Sequence, residues 1–271
     1  MSKTILITGA SSGIGKATAQ LFADKGWNVV ATMRRPEDET ELTARDSILV
    51  TRLDVTDGAS IEAAVNAGID RFGRIDALVN NAGYGAYGPL EAFSMDKVRR
   101  QFDTNVLGLI DVTKALLPHF RAHHDGVIVN ISSIGGRITF PLGALYHGTK
   151  FAVEGFSEAL SYELQPAGVR VKIVEPGAIA TEFNGRSFDF ANDETLTEYQ
   201  DIVAKLMGAA ESLMANASPA SVVAEVIYQA TTDGTDQLRY TAGEDAKIYL
   251  ANRKAADDAT FMQGMRDQFG I

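Results

Sequence analysis

Apolar positions along the chain fall into two alternating patterns. Short, almost unbroken apolar runs stand at Thr4 to Thr8, Trp27 to Thr32, Ile48 to Leu53, Ala77 to Val79, Val127 to Ile131 and Val169 to Val174, as in strands buried on both faces of a parallel sheet. Between them apolar residues recur at helical spacing. Ala17, Leu21 and Phe22 form one such set, and Ile61, Ala64 and Val65 a second. Val98, Phe102, Val106, Leu109, Val112, Leu116 and Leu117 predict a long helical region from about Ser94 to His123. Phe151, Val153, Phe156, Leu160 and Leu164 predict a further helix, followed by one over Val222 to Ala230 and a seventh strand over Gln237 to Thr241. This alternation predicts an α/β fold: one domain over residues 1–271 with a doubly wound parallel sheet of about seven strands.

Two stretches depart from it. Ala178 to about Ala217 scatters Phe183, Phe188 and Phe190 among polar residues, then carries the apolar stripe Leu196, Tyr199, Val203, Leu206, Met207, Ala210 and Leu213. An apolar stripe after an irregular loop beside a ligand-binding edge is expected to act as a mobile helical substrate lid, over about 178–217. The chain ends, over about 243–271, in a helical extension of mixed charge.

Composition narrows the partners. With 45% hydrophobic and 22% charged residues the chain can fill a large core. A net charge of -10 without a basic patch argues against nucleic acid and anionic membrane surfaces. The absence of cysteine removes disulfides, thiolate metal sites and cysteine nucleophiles. His119, His123 and His124 have no further ligand at a recognisable spacing, so they are expected on the surface and no metal site is expected. The first apolar run is too short for a signal peptide and no run approaches 18 apolar residues, which predicts a cytoplasmic protein.

Candidate chemistry collects at the strand ends. Gly9, Ser11, Ser12, Gly13, Ile14 and Gly15 lie between the first strand and its helix, where glycines admit a pyrophosphate and the helix N-terminus favours its charge. This makes the sheet Rossmann-type and dinucleotide binding the expectation. After the second strand, Met33-Arg34-Arg35 stands where an NAD site usually has a carboxylate; a guanidinium there suits a 2′-phosphate, so NADP(H) is expected over NAD. Asp54 and Val55 end the third strand near the expected adenine, Asn80, Asn81, Ala82 and Gly83 the fourth, Ser132 and Ser133 the fifth, and Pro176-Gly177 the sixth. Tyr146 and Lys150, four apart, share one helix face; a nearby ammonium is expected to lower the phenol's pKa and so fit Tyr146 to exchange a proton with an alcohol or ketone oxygen. Asn105 is a polar amide inside an apolar helix, and its spacing alone assigns it no role.

Assembled, these motifs resemble the short-chain dehydrogenase/reductase family over essentially the whole chain. Thr8-Gly9-Ala10-Ser11-Ser12-Gly13-Ile14-Gly15 is similar to its Thr-Gly-x-x-x-Gly-x-Gly turn, Asn80-Asn81-Ala82-Gly83 to its Asn-Asn-Ala-Gly motif, and Tyr146 with Lys150 to its Tyr-x-x-x-Lys pair, with Ser133 thirteen residues before Tyr146. The resemblance implies an NADP(H)-dependent oxidoreductase with Tyr146 as acid/base, Lys150 lowering its pKa and holding the ribose, Ser133 orienting the carbonyl and Asn105 supporting a proton-relaying water. It also implies that Pro176, Gly177, Ile179 and Thr181 hold the nicotinamide end, and that the chain assembles as a homodimer or homotetramer through Phe102 to Leu117 and Phe151 to Leu164. The stretches Asn81 to Glu91 and Lys150 to Gly155 resemble the 17β-hydroxysteroid and retinol dehydrogenase branch, implying a small apolar ketone or alcohol in a pocket near Tyr84, Tyr87, Phe140, Leu142 and His147. Two other readings are a non-catalytic NADP-binding redox sensor, which has no chemical need for all of Asn105, Ser133, Tyr146 and Lys150, and a sugar-nucleotide epimerase or dehydratase, disfavoured by the glycine spacing and modest length.

Overall fold

The computed structural model describes residues 2–181, 187–215 and 217–271. Within them the first half runs β1 (Thr4–Ile7), α1 (Gly13–Asp24), β2 (Asn28–Met33), β3 (Ile48–Arg52), α2 (Gly58–Phe72), β4 (Ala77–Asn80), β5 (Gly85–Tyr87), α3 (Met95–Phe102) and α4 (Gly108–His123). There follow β6 (Gly126–Ile131), α5 (Ala144–Leu164), β7 (Val169–Pro176), β8 (Ile179–Ala180), β9 (Phe188–Phe190), α6 (Gln200–Ala215), β10 (Ser218–Pro219), α7 (Ala220–Thr232), β11 (Arg239–Ala242), α8 (Glu244–Ala255) and α9 (Asp258–Phe269).

Seven strands form one sheet in the order β11-β7-β6-β4-β1-β2-β3, every neighbouring pair parallel. The two-residue period of β1 sends Ile5 and Ile7 to one face, where they meet Ala19 and Phe22 of α1 and Val223 and Ile227 of α7. Leu6 goes to the other, against Ile61 of α2 and Val112, Leu116 and Phe120 of α4. A buried polar ladder stitches that second face to the sheet: Asn80 Nδ2 donates to Thr113 and Asn130, and Asn130 Nδ2 donates to Ser157 on α5. The chain leaves β1 towards β3 on one side and returns to β4 on the other, which opens a ligand crevice at the carboxyl ends of these strands.

The predicted helix from Ser94 to His123 is not uniform. A π-turn, Asp103–Leu107, separates α3 from α4, and such turns widen a helix where a side chain must be re-aimed. The aromatic stretch after β7 is paired: β9 zips in parallel onto β5, with Tyr87 opposite Phe190, and Lys97 ties it further through Asp189 at 2.7 Å. Of the predicted lid stripe, Val203 is buried and Met207 is 51% exposed; Phe183 and the side chains of Ala210 and Leu213 lie outside the described residues. The C-terminal extension docks through a few apolar residues and leaves the rest in solvent. Ala246 is buried with Ile134 and Ile138, and Phe140, Tyr249, Leu250 and Phe261 close around them. His119 also departs from expectation: it is half-buried, Nε2 bonds the backbone of Ile75, and burial lowers its pKa.

Candidate functional site

The glycine turn after β1 is held from behind. Asn81 Nδ2 donates to Thr8 O at 2.8 Å and Gly9 O at 3.1 Å, while Thr8 Oγ1 accepts the amides of Asn81 and Ala82, both at 3.0 Å. Only glycine fits at position 15, where a Cβ would stand 2.3 Å from Gly9 O and 2.6 Å from Asn81 Nδ2. Ser12 caps α1 without bonding its amides, and the first turn of α1 contains no acid, so this helix end offers N–H groups and a positive dipole to an anion. Thr181 lies across the turn, its side chain 3.3 Å from where a Cβ of Gly13 would be. These features fit a dinucleotide pyrophosphate.

Arg34, at the end of β2, is exposed and makes no ion pair among the described residues. The nearby acids are committed elsewhere: Asp38 to Arg35 at 3.2 Å, and Glu39 to Lys16 and to the amides of Glu41 and Leu42. Asp54 follows β3, where it accepts both the amide and the hydroxyl of Thr56; Val55 packs under Gly108.

Across the crevice, Asn105 sits on the π-turn, buried. Its Oδ1 accepts the Tyr84 amide at 3.0 Å and its Nδ2 donates to Tyr84 O at 2.9 Å and Thr149 Oγ1 at 3.1 Å. It thereby fixes the strand after Gly83 against α5. Thr149 is a positioning residue that the sequence pattern missed, its only signal a threonine beside Tyr146 and Lys150, whereas Thr8 entered the pattern as the first residue of the glycine-turn motif without a role.

Ser133, at the end of β6, reaches the Pro176 carbonyl at 3.4 Å, accepts the Gly135 amide at 3.0 Å and is hydrogen-bonded to Tyr146. Gly177 and Ala178 follow β7 beside the C-terminal extension, the Gly177 amide donating to Ala242 O and the Ala178 amide to Asp245 Oδ2. Ile179 is buried in the core cluster beneath. Lys150 points Nζ at Ile131 O, 2.9 Å away, and lies 5.7 Å from the Tyr146 ring centroid. Asn105, Ser133, Tyr146 and Lys150 are thus brought to one cleft at the carboxyl edge of β4, β6 and β7. One expectation is reversed in the protein alone. Burial pushes the Tyr146 phenol up, partly offset by the Ser133 hydrogen bond, and burial also drives the Lys150 amine down to about 8.

An aromatic wall closes the cleft. The Tyr87 ring lies 5.5 Å from Tyr146 and stacks at 5.5 Å on Phe188, which stacks on Phe190. His147 is no free pocket donor: its Nδ1 bonds Gly135 O and its Nε2 accepts the Phe140 amide, which makes it neutral and locks the turn between them. Phe140, Leu142 and His147 do line a depression of about 490 Å³, together with Thr139, Ala144, Gly148 and Phe151, but it opens beside the cleft rather than at Tyr146. Tyr84 lies under the Arg100 guanidinium, its hydroxyl buried.

The short chain dehydrogenase family model matches residues 3–192. An uncharacterized oxidoreductase of Schizosaccharomyces pombe is 46% identical over 244 residues, 88% of this chain and 100% of that protein. A 3-ketodihydrosphingosine reductase of Bacteroides thetaiotaomicron is 45% identical over 179 residues, 66% of this chain and 65% of that protein. Among solved structures, a short-chain dehydrogenase from Streptomyces avermitilis superposes with a TM-score of 0.85 at 35% identity, covering 97% and 95% of the two chains. ElxO with NADP bound gives 0.76 at 29% identity, over 92% and 100%. A 3-ketoacyl-(acyl-carrier-protein) reductase of Brucella melitensis with NADH gives 0.73 at 28%, over 89% and 97%. The chain belongs to the short-chain dehydrogenase/reductase family. It is therefore an NAD(P)-dependent oxidoreductase of a small-molecule substrate. No helix among the described residues is long and apolar enough to cross a membrane.

Proposed function

We propose that the chain is an NADP(H)-dependent oxidoreductase that interconverts a carbonyl and a secondary alcohol on a small apolar molecule. The observation that carries this is the Ser133–Tyr146 hydrogen bond with Lys150 one helical turn on, at the edge where the glycine turn also opens. When bound, the nicotinamide supplies or accepts the hydride. Ser133 holds the reacting oxygen, and Tyr146 gives that oxygen a proton in reduction and removes one in oxidation. Lys150 makes the phenolate less costly and holds the ribose, while Asn105 supports the water that returns the proton. Gly9, Ser11, Ser12, Gly13, Ile14 and Gly15 cradle the pyrophosphate. Asp54, Val55, Asn81, Ala82 and Gly83 line the adenosine side, and Pro176, Gly177, Ile179 and Thr181 hold the carboxamide.

Preference for NADP(H) is supported by Arg34, exposed and without an ion pair among the described residues, and by the commitment of Asp38 and Glu39 elsewhere. An apolar substrate is supported by the Tyr87, Phe188 and Phe190 wall, with α6 as its lid. The exposed Leu107, Phe151 and Tyr162 support assembly of copies through the π-turn before α4 and through α5, which light scattering tests.

Fluorescence titration and steady-state reduction of apolar ketones test the reading together. Tyr146→Phe is expected to bind NADPH within about twofold of the wild type and to lose about 1,000-fold or more in kcat, in line with removal of a general acid. Retained turnover removes Tyr146 from the role. Arg34→Ala is expected to bring NADPH affinity down to that for NADH; an unchanged preference makes Arg34 a surface residue.

A further inference from the structure

Tyr146, Lys150, Glu154 and Glu158 follow one another at intervals of four along α5, so they share one helix face. The first two enter the proposed chemistry. Glu154 is the one that has no evident reason to be there. It is 4% exposed, on a helix whose buried face is otherwise filled by Val153, Ser157 and Leu160, and an ionised carboxylate at such a position is costly unless it is paired. One oxygen, Oε2, takes the Arg239 guanidinium at 2.9 Å. The other, Oε1, is buried without a hydrogen-bond partner among the described residues.

The surroundings are a closed set of charges. Arg239, from β11, also holds Glu158 at 2.5 Å and lies 3.7 Å from Glu175 of β7. Glu175 is 2% exposed and takes Arg137, from the turn after β6, at 3.1 Å. That turn fits flush against α5 because residue 136 is glycine: a Cβ there would stand 2.8 Å from Glu154 Cγ and 2.9 Å from Lys150 O. The other contacts of this stretch of α5 among the described residues are with uncharged groups: His147 is held neutral, α3 and the π-turn present Phe102 and Asn105, and β5 presents the phenol of Tyr87. Three carboxylates, Glu154, Glu158 and Glu175, thus face two guanidiniums, Arg137 and Arg239. The set is balanced when Lys150 supplies the third positive charge.

We infer that Glu154 is a positioning residue for the proton chemistry: its buried carboxylate is the counter-charge that keeps Lys150 protonated one turn away. This rests on the role proposed above for Tyr146 and Lys150. The electrostatics point the same way. Burial drives the Lys150 amine down to about 8, and the opposing influence upon it is the charge of Glu154. Burial, and after it the same charge, push Glu175 up, against the pull of Arg137 and Arg239, so Glu154 and Glu175 feel each other across this set. A neutral Lys150 gives Tyr146 no help with its phenolate, and Tyr146 is already pushed up by burial.

The test compares wild type, Glu154→Gln and Glu158→Gln. Glu158 shares Arg239 but is 45% exposed, so its substitution disturbs the same ion pairs from the solvent side. Two quantities are read against pH: kcat/KM for NADPH-dependent ketone reduction, and labelling of Lys150 by acetic anhydride followed by mass spectrometry. In Glu154→Gln the basic limb of the rate profile and the Lys150 labelling midpoint are both expected about one pH unit lower, the size of a charge lost a helical turn away at intermediate dielectric. Glu158→Gln is expected to move neither by more than about a third of that. If Glu154→Gln does not fold, Glu154→Asp, which keeps the charge but withdraws it by one methylene, is expected to give a smaller shift of the same sign. A folded Glu154→Gln with an unmoved labelling midpoint overturns the proposal. If the midpoint moves in a protein whose wild type reduces no ketone, the Glu154–Lys150 pairing stands and the assigned reaction falls.

Discussion

The two halves of the cleft are built by different means. On the cofactor side, the turn after β1 is shaped by its own backbone: Gly15 is packed to within a missing methyl of Gly9, and Thr8 and Asn81 hold the turn by hydrogen bonds to main chain. On the substrate side, side chains far apart in sequence do the work. Tyr87 meets Phe188 across a three-residue ribbon, and Phe140 meets Tyr249 and Phe269 of the C-terminal extension at ring separations of 5.5 and 6.2 Å. A backbone-shaped site tolerates no extra atom, whereas a wall of stacked rings can lose one and re-pack. The first suits a ligand of fixed shape, the second one whose shape can vary.

Substitutions on each side can break this contrast. The largest effect is expected from Gly15→Ala, which must push its methyl into Gly9 O and Asn81; NADPH affinity should fall by about 100-fold, the cost of overpacking a rigid contact. Isothermal titration reads it, and affinity within about threefold of the wild type means that the turn gives way after all. A smaller effect is expected from Phe188→Ala, which removes the outer ring of the stack on Tyr87: ketone KM should rise about tenfold with NADPH affinity unchanged. A matching loss of cofactor affinity would show the two halves to be one unit.

The same contrast decides what the sequence discloses. The glycine turn, Asn81, Ser133, Tyr146 and Lys150 are legible because each belongs to a short stretch whose spacing dictates its geometry, and the seven strands are legible because burial on both faces leaves unbroken apolar runs. The β5–β9 ribbon is not, since three residues carry no period and their partners lie about a hundred positions away. The π-turn at Asn105 is hidden because Phe102, Val106 and Leu109 keep a helical rhythm through it. The extension reads as a mixed-charge tail because Ala246 and Tyr249 are too few to signal a docking face, yet they seal the turn that follows Ser133. Even the Tyr146–Lys150 spacing gives proximity without the direction of the phenol's pKa, since the burial that raises it comes from the packing of other elements around the ring.

The smallest predicted effect falls where the halves join. His147 follows Tyr146 on α5 and ties the turn after Ser133 to the aromatic wall, donating through Nδ1 to Gly135 O at 2.8 Å and accepting the Phe140 amide through Nε2 at 2.9 Å. Both bonds require the neutral ring, and burial lowers its pKa from the ordinary value. The unfolded chain therefore takes up this proton at higher pH than the folded one. Stability is complete above about pH 6.5, falls as the pH drops below that value, and levels off once the folded ring protonates as well. His147→Gln cannot titrate, so its melting temperature, measured between pH 5 and 7, should fall by about 2–4 °C less than that of the wild type. Parallel curves for the two proteins would mean that the turn and the wall do not depend on the neutral imidazole, and that the cofactor and substrate sides are joined through α5 alone.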